Sequence, residues 1–174
     1  TNPLPENAIC NGFEKLCSKS MNEVLYAGSK NAAYSTAYQA RVDLAEQELS
    51  ISQQLTNGVR FLDFDLKEVI RYLSIEPSAS STQLFVKHPL DSDWEYDWLS
   101  VLKEIKTFMD NNPYEVVVLN IEGEIKLSSL NRYFELIDLK AQLYERSPES
   151  TSGWPVLGRL IHQGQRLVVF TNIE

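Results

Sequence analysis

A chain of 174 residues, 43% apolar and 23% charged, is long enough to bury one continuous core and too short for two separately cored domains. Residues 1–174 therefore read as a single domain or one large fraction of a bigger one, and no apolar run approaches the ~20 residues that a membrane-spanning helix needs. Sixteen Lys and Arg against 24 Asp and Glu leave a net charge of -8, a mean field that repels phosphate polymers and anionic lipid surfaces, so nucleic acid is not an expected partner.

The sequence opens Thr1-Asn2-Pro3-Leu4-Pro5 without an initiator Met, as expected after removal of a signal or pro-segment. Cys10 and Cys17 are the only cysteines and flank the short stretch Asn11 to Leu16, so they form either a local disulfide or two thiols. Zinc would need two further ligands nearby, and the only histidines, His88 and His162, lie far along the chain. A disulfide is the preferred reading, worth about 2 to 3 kcal/mol in loop-closure entropy. With the processed start it points to a secreted or lumenal protein. An excised fragment with reduced cysteines is the alternative.

Val24 to Ala27 is expected as an opening strand. Residues 50–57 form a short helix stopped by Asn57-Gly58, followed by a strand in which Phe61, Asp63 and Asp65 face one way. A Ser- and Pro-containing loop over Glu76 to Thr82 leads to a strand from Gln83 to His88, ended by Pro89. With Asp97 as N-cap, the apolar residues Trp98, Leu99, Val101, Leu102, Ile105, Phe108 and Met109 recur at helical spacing, and Pro113 lies beyond the end. Of the nearby tryptophans, Trp98 is expected to pack on this helix, and the acids around Trp94 argue against an anionic membrane.

The apolar run from Glu115 to Glu122 has the pattern of a strand covered on both faces. Ser129 to Arg146 is expected as a helix, Pro155 opens another that ends at Gly164, and Arg166 to Thr171 is a last buried strand. This alternation specifies an α/β fold with a parallel sheet and right-handed connections. At about 31 residues per unit of an eightfold barrel, the chain supplies about five strand–helix units of a TIM-type (β/α) barrel. The barrel is thus incomplete: a second polypeptide supplies the other strands, they are missing from this chain, or the sheet stays open.

Ligands of such sheets sit at the carboxyl ends of the strands, which selects Lys30 and Asn31, Asp63 and Asp65, His88, Glu122 and Asn172. Asp63-x-Asp65 places two carboxylates on one face of one strand, and Glu122 ends another. Three converging acids call for a cation. Singly, each acid fits a helix cap or a solvated loop, and His88 before Pro89 fits a turn histidine, so the argument rests on the set.

These residues carry a family resemblance. The run from Cys10 to Val24, followed by Ala27-Gly28-Ser29-Lys30-Asn31-Ala32-Ala33, resembles the amino-terminal signature of secreted phosphatidylinositol-specific phospholipase C-like phosphodiesterases. Gln53 through Asp65 resembles that family's second strand, Asn112 through Glu122 its fourth, and Gly153 through Thr171 the approach to its fifth. The resemblance implies a TIM-type barrel in which two histidines cut a phosphodiester, one as general base and one as general acid. In calcium-dependent members a metal among an Asn and several acids neutralises the phosphate.

Carried over by position, His88 matches the second histidine, Asn31 the metal-binding Asn, and Asp63, Asp65 and Glu122 the acid ligands of a Ca2+ ion. Lys30 stands where the family has its first histidine, and Pro89 replaces the Gly after the second. A lysine side chain ordinarily titrates near ~10.4, and carboxylates beside it favour its charged form. It therefore binds phosphate but takes no proton from an attacking hydroxyl, a loss of about 100- to 10,000-fold in rate. Its ammonium could also stand in for calcium among Asp63, Asp65 and Glu122, leaving no need for a metal.

Two functions follow. One is a catalytically impaired member serving as a binding or structural module for a phosphodiester or inositol phosphate. The other is an active phosphodiesterase with His88 as general acid and Lys30 clamping phosphate. Lys30, Pro89 and the missing barrel portion favour the first.

Overall fold

The computed structural model describes residues 8–72, 80–146 and 153–173. Strands β1 (Gly28–Ser29), β2 (Phe61–Tyr72), β3 (Ser80–His88), β4 (Asp91–Asp97), β5 (Val117–Glu124) and β6 (Leu167–Thr171) form one sheet in the order β4-β3-β2-β5-β6, with β1 paired to the start of β2. β1, β2, β5 and β6 run parallel, as the alternation of elements predicts. β3 runs antiparallel to both of its neighbours, β2 and β4, which corrects the expectation of an all-parallel sheet. Among the described residues the sheet is not closed.

The reason for the correction lies in composition. β4 carries Asp91, Asp93, Glu95 and Asp97, a residue type depleted in strands, and only Asp91 and Trp94, which do not alternate, are buried in it. Of the loop expected over Glu76 to Thr82, residues 76–79 lie outside the described residues, and Ser80 to Thr82 belong to β3. The opening Thr1 to Pro5 also lies outside them. The first strand falls at Gly28–Ser29 rather than at Val24 to Ala27; from that stretch the Ala27 carbonyl reaches the next strand, accepting from the N–H groups of Arg60 and Phe61.

The helices follow their capping chemistry. α1 (Ile51–Thr56) opens on a capping box, in which the Ser50 hydroxyl accepts from the Gln53 N–H and the Gln53 side chain accepts from the Ser50 N–H. α2 (Trp98–Asn111) is capped by the Asp97 carboxylate, as its spacing predicts. α3 (Leu127–Leu136) is shorter than the expected 129–146, because the chain turns left-handed at Asp138 (φ 58) and continues as a single 3-10 turn, Lys140–Gln142. α4 (Leu157–Gln163) begins two residues beyond Pro155 and closes on Gly164 in the left-handed region, as expected.

Strand alternation sorts the core into two layers. Leu62, Phe64 and Leu66 of β2 with Leu119 and Ile121 of β5 pack against α1, α2 and α3. Val118 of β5 and Val168 of β6 face the other way, onto α4 and the segment around Cys10 and Met21, with Phe61 against them. Further along that second face come Asp63, Asp65, Asn120 and Glu122, held in register as Asp63 beside Asn120 and Asp65 beside Glu122. Gly123 follows at φ +130, where a Cβ would lie 2.0 Å from the Leu66 carbonyl oxygen, so β2 and β5 approach there as only glycine allows.

The amino-terminal segment is pinned at two points. Cys10 and Cys17 form a disulfide with Cα atoms 5.1 Å apart. Between them Asn11 bonds Val116 in both directions, its amide donating to the carbonyl at 3.2 Å and its oxygen accepting the N–H at 2.7 Å. Among the described residues no helix is long and apolar enough to cross a membrane.

Candidate functional site

The carboxyl end of β1 delivers two adjacent residues to different places. Lys30 is exposed and Asn31, at φ 46, is buried. A cleft of about 470 Å³ is lined by Gly28, Ser29, Lys30, Phe61, Asp63 and Glu122. The two acids are tied together through Asn120, whose side-chain amide donates to Asp63 Oδ1 at 2.8 Å and to Glu122 Oε1 at 3.3 Å. Asp63 Oδ2 also accepts the Asn31 backbone N–H at 3.3 Å. Lys30, Asp63 and Glu122 therefore share one mouth, and Lys30 forms no ion pair among the described residues.

Asp65 is held differently. Its register partner on β3 is Lys87, whose ammonium lies 3.6 Å from its carboxylate. Alternation turns His88 the other way, with the buried Leu84 and Val86. Asn172 is exposed beyond β6.

Around His88 the structure assembles a second cluster. The residue is 5% exposed, and its ring lies stacked on Tyr34, centroids 3.8 Å apart and planes 7° from parallel. Tyr34 in turn donates to Asp91 Oδ2 at 2.8 Å, a bond between two buried residues. His88 Nδ1 accepts from the Leu90 N–H at 3.3 Å, so a neutral ring carries its proton on Nε2. That nitrogen faces Glu46 Oε1 at 3.1 Å, and the same oxygen accepts from the Asn31 side-chain amide at 2.9 Å.

Sequence reasoning missed Glu46. It lies in an unpatterned polar stretch, and no spacing motif links it to the strand ends. Its position comes from chain reversal: the N–H groups of Glu46 and Gln47 both donate to the Tyr34 carbonyl, and the Gln47 side chain donates to the Lys30 carbonyl at 2.9 Å. Gln54, buried in α1, anchors the same loop by donating to the carbonyls of Ala32 and Leu49, each at 2.8 Å. Burial pushes the Glu46 carboxyl up, but the hydrogen bonds from His88 and Asn31 and the charge of Lys30 outweigh it and hold the group below the usual glutamate range.

Trp98 is fully buried against Phe64, and Trp94 packs its edge on Tyr34 while its N–H donates to the Tyr38 carbonyl. Both are core residues, as expected for Trp98.

The acids do not present themselves as a cation cage. Both Asp63 oxygens accept hydrogen bonds, Asp65 faces a lysine, and Asn31 turns its side-chain amide N–H toward Glu46. Among the described residues no three His, Cys, Asp or Glu side chains are grouped so as to hold a metal ion. This donor set does not fit the six to eight oxygens that calcium takes, and no step below is routed through a metal.

Comparison with known proteins gives the family and the fold. The family described as PI-PLC X 1 matches residues 16–174. A PI-PLC X domain-containing protein 1 of Arthroderma benhamiae is 26% identical over 98% of this chain and 53% of its own length. An uncharacterized secreted protein of the same organism is 27% identical over 99% of this chain and 37% of its own length. The chain thus spans about half or less of these relatives. Among solved structures, a phosphatidylinositol-specific phospholipase C from Staphylococcus aureus superposes with a TM-score of 0.63 at 15% identity, over 89% of this chain and 49% of that one. The enzyme from Listeria monocytogenes gives 0.53 at 16% identity, over 98% and 54%. At such identities the likeness concerns the fold.

Proposed function

The chain belongs to the PI-PLC X domain family, and on that premise we propose that it is a phosphodiester-binding member whose turnover is impaired. The observation that carries the reading is the state of the two positions where the family resemblance implies histidines. Lys30, in the cleft, offers an ammonium that binds phosphate and accepts no proton. His88 has both ring nitrogens engaged, Nδ1 by the Leu90 N–H and Nε2 by Glu46. Neither side chain is free to take the proton of an attacking hydroxyl, a function worth about 100- to 10,000-fold in rate.

The ligand class is a phosphoinositide headgroup or related phosphodiester, with Lys30 as its cationic contact. The second reading, an active phosphodiesterase, draws on His88 Nε2–H, which points at an oxygen and could protonate a leaving alkoxide once Glu46 is displaced. Hydrolysis of phosphatidylinositol and of a soluble cyclic inositol phosphate decides between them. Impairment predicts negligible parent turnover and a gain in Lys30→His. Robust parent turnover that His88→Ala abolishes would overturn it.

We propose secretion on the strength of the disulfide, which persists in oxidising compartments, and of the secreted relative. Addition of calcium should leave any residual turnover unchanged, since the carboxylates are already engaged within the protein.

A further inference from the structure

Two hydrogen-bond donors from separate elements converge on one oxygen. His88 Nε2, from the end of β3, and Asn31 Nδ2, from the turn after β1, lie 3.1 and 2.9 Å from Glu46 Oε1. Lys30, the neighbour of Asn31, adds positive field to the same carboxylate. Both donating residues are buried, at 5% and 7% exposure, whereas the Glu46 side chain is 31% exposed. The donors are thus fixed parts of the scaffold. The acceptor comes in from the rim on a loop.

A preorganised pair of N–H donors beside a cation is the chemistry that recognises an oxyanion. We propose that Asn31 and His88 form an oxyanion-binding site, with Lys30 beside it, which the protein's own Glu46 carboxylate occupies and a phosphate oxygen must displace. This rests on the reading of the chain as a phosphodiester binder and adds a second oxyanion position, next to Lys30 of the cleft, together with the group that occupies it. Glu46 acts as an internal competitor: it satisfies buried donors that would otherwise be left without an acceptor, and its charge repels an arriving anion. Departure of Glu46 exchanges one carboxylate for one phosphate on the same donors. Neither the scaffold nor the stacking of His88 on Tyr34 needs to move.

The test is binding of inorganic phosphate to the full 174-residue chain at neutral pH, by calorimetry or by amide shifts of residues 29–32 and 88–90. Glu46→Ala should bind phosphate at least 10-fold more tightly than the parent. Adding His88→Ala to that variant should remove the gain. Glu46→Gln, which keeps the shape and loses the charge, should show about a 3-fold gain and carries the test if the alanine variant does not fold. A parallel arm uses phosphatidylinositol-containing vesicles against phosphatidylcholine ones: gain with both ligands marks a site for any phosphate oxyanion, and gain confined to the vesicles marks a lipid headgroup. Parent and folded Glu46 variants with equal affinities overturn the inference while leaving the impaired-enzyme reading intact. Parent turnover overturns that reading and leaves this one to be judged by binding. Absence of phosphate and vesicle binding in every variant sinks both.

Discussion

The imidazole of His88 lies flat on the phenol of Tyr34, with ring centroids 3.8 Å apart. Stacking fixes the plane of the histidine, and the bond from Tyr34 to Asp91 at 2.8 Å fixes the tyrosine. The orientation of Nε2 toward Glu46 is therefore set from behind, by a residue with no contact to the cleft.

Tyr34→Phe keeps the stack and deletes the bond to Asp91. Because Asp91 is 7% exposed, the loss should cost about 1 to 3 kcal/mol of unfolding free energy in urea. Tyr34→Ala, which also removes a fully buried ring, should cost about 3 to 5 kcal/mol. Equal stability of Tyr34→Phe and the parent would show that Asp91 finds water in place of the phenol.

Alkaline pH should destabilise the fold. Burial pushes Tyr26 up to about 12, and burial together with the bond to Asp91 does the same for Tyr34. Tyr38 and Tyr96 are raised too, chiefly by burial, with the bond to Glu104 adding to the effect on Tyr38. Between the ordinary tyrosine value near ~10 and about 12, the folded state holds protons that the unfolded chain has released. Stability is therefore full below pH ~10 and falls as pH rises toward 12. Phenolate absorbance at 295 nm should rise in two stages, the second coincident with loss of the far-ultraviolet signal; a single stage at the free-tyrosine value would refute the assignment.

Gly123→Ala should be among the most damaging single-methyl additions. The new Cβ would meet the Leu66 carbonyl at 2.0 Å with φ at +130, so both the backbone and the neighbouring strand must shift, costing about 3 kcal/mol or more. Gly58→Ala, also at positive φ but with open space around its Cβ, separates the two effects and should cost about 1 kcal/mol. Similar losses at both positions would mean that the close approach of β2 and β5 contributes nothing.

Reduction of the Cys10–Cys17 disulfide should cost about 2 to 3 kcal/mol, as expected for a loop of this size. The Asn11 bonds to Val116 should keep the segment docked, so Cys17→Ser should unfold at lower temperature but retain the near-ultraviolet signal of the folded state. Loss of that signal at room temperature would show that the disulfide, rather than Asn11, holds the segment in place.

Much of this architecture was legible in the amino-acid order. The period of Trp98 to Met109 and the Asp97 cap specify α2, and the apolar run before Glu122 specifies β5, because each pattern has one structural solution. The antiparallel hairpin was not legible: β4 is charged at alternate positions and takes its strand character from pairing with β3, a contact that leaves no local mark. Lys30, Asp63 and Glu122 were placed together by the rule for strand ends. The same rule groups Asp65 with them, but the structure turns Asp65 to Lys87 across the ladder, a pairing that only register reveals. Glu46 was invisible because its role depends on a loop folding back onto Tyr34, and neither periodicity nor motif spacing records such a reversal.

The two margins of the sheet are chemically unlike. β4 shows Asp93 and Glu95 to solvent, and acids on an outer strand discourage another backbone from docking beside it. β6 has no acid between Leu167 and Thr171, and beyond one bridge from Leu143 its outer side stays unpaired among the described residues. Between these two margins a further strand would therefore meet charge repulsion at β4 and none at β6.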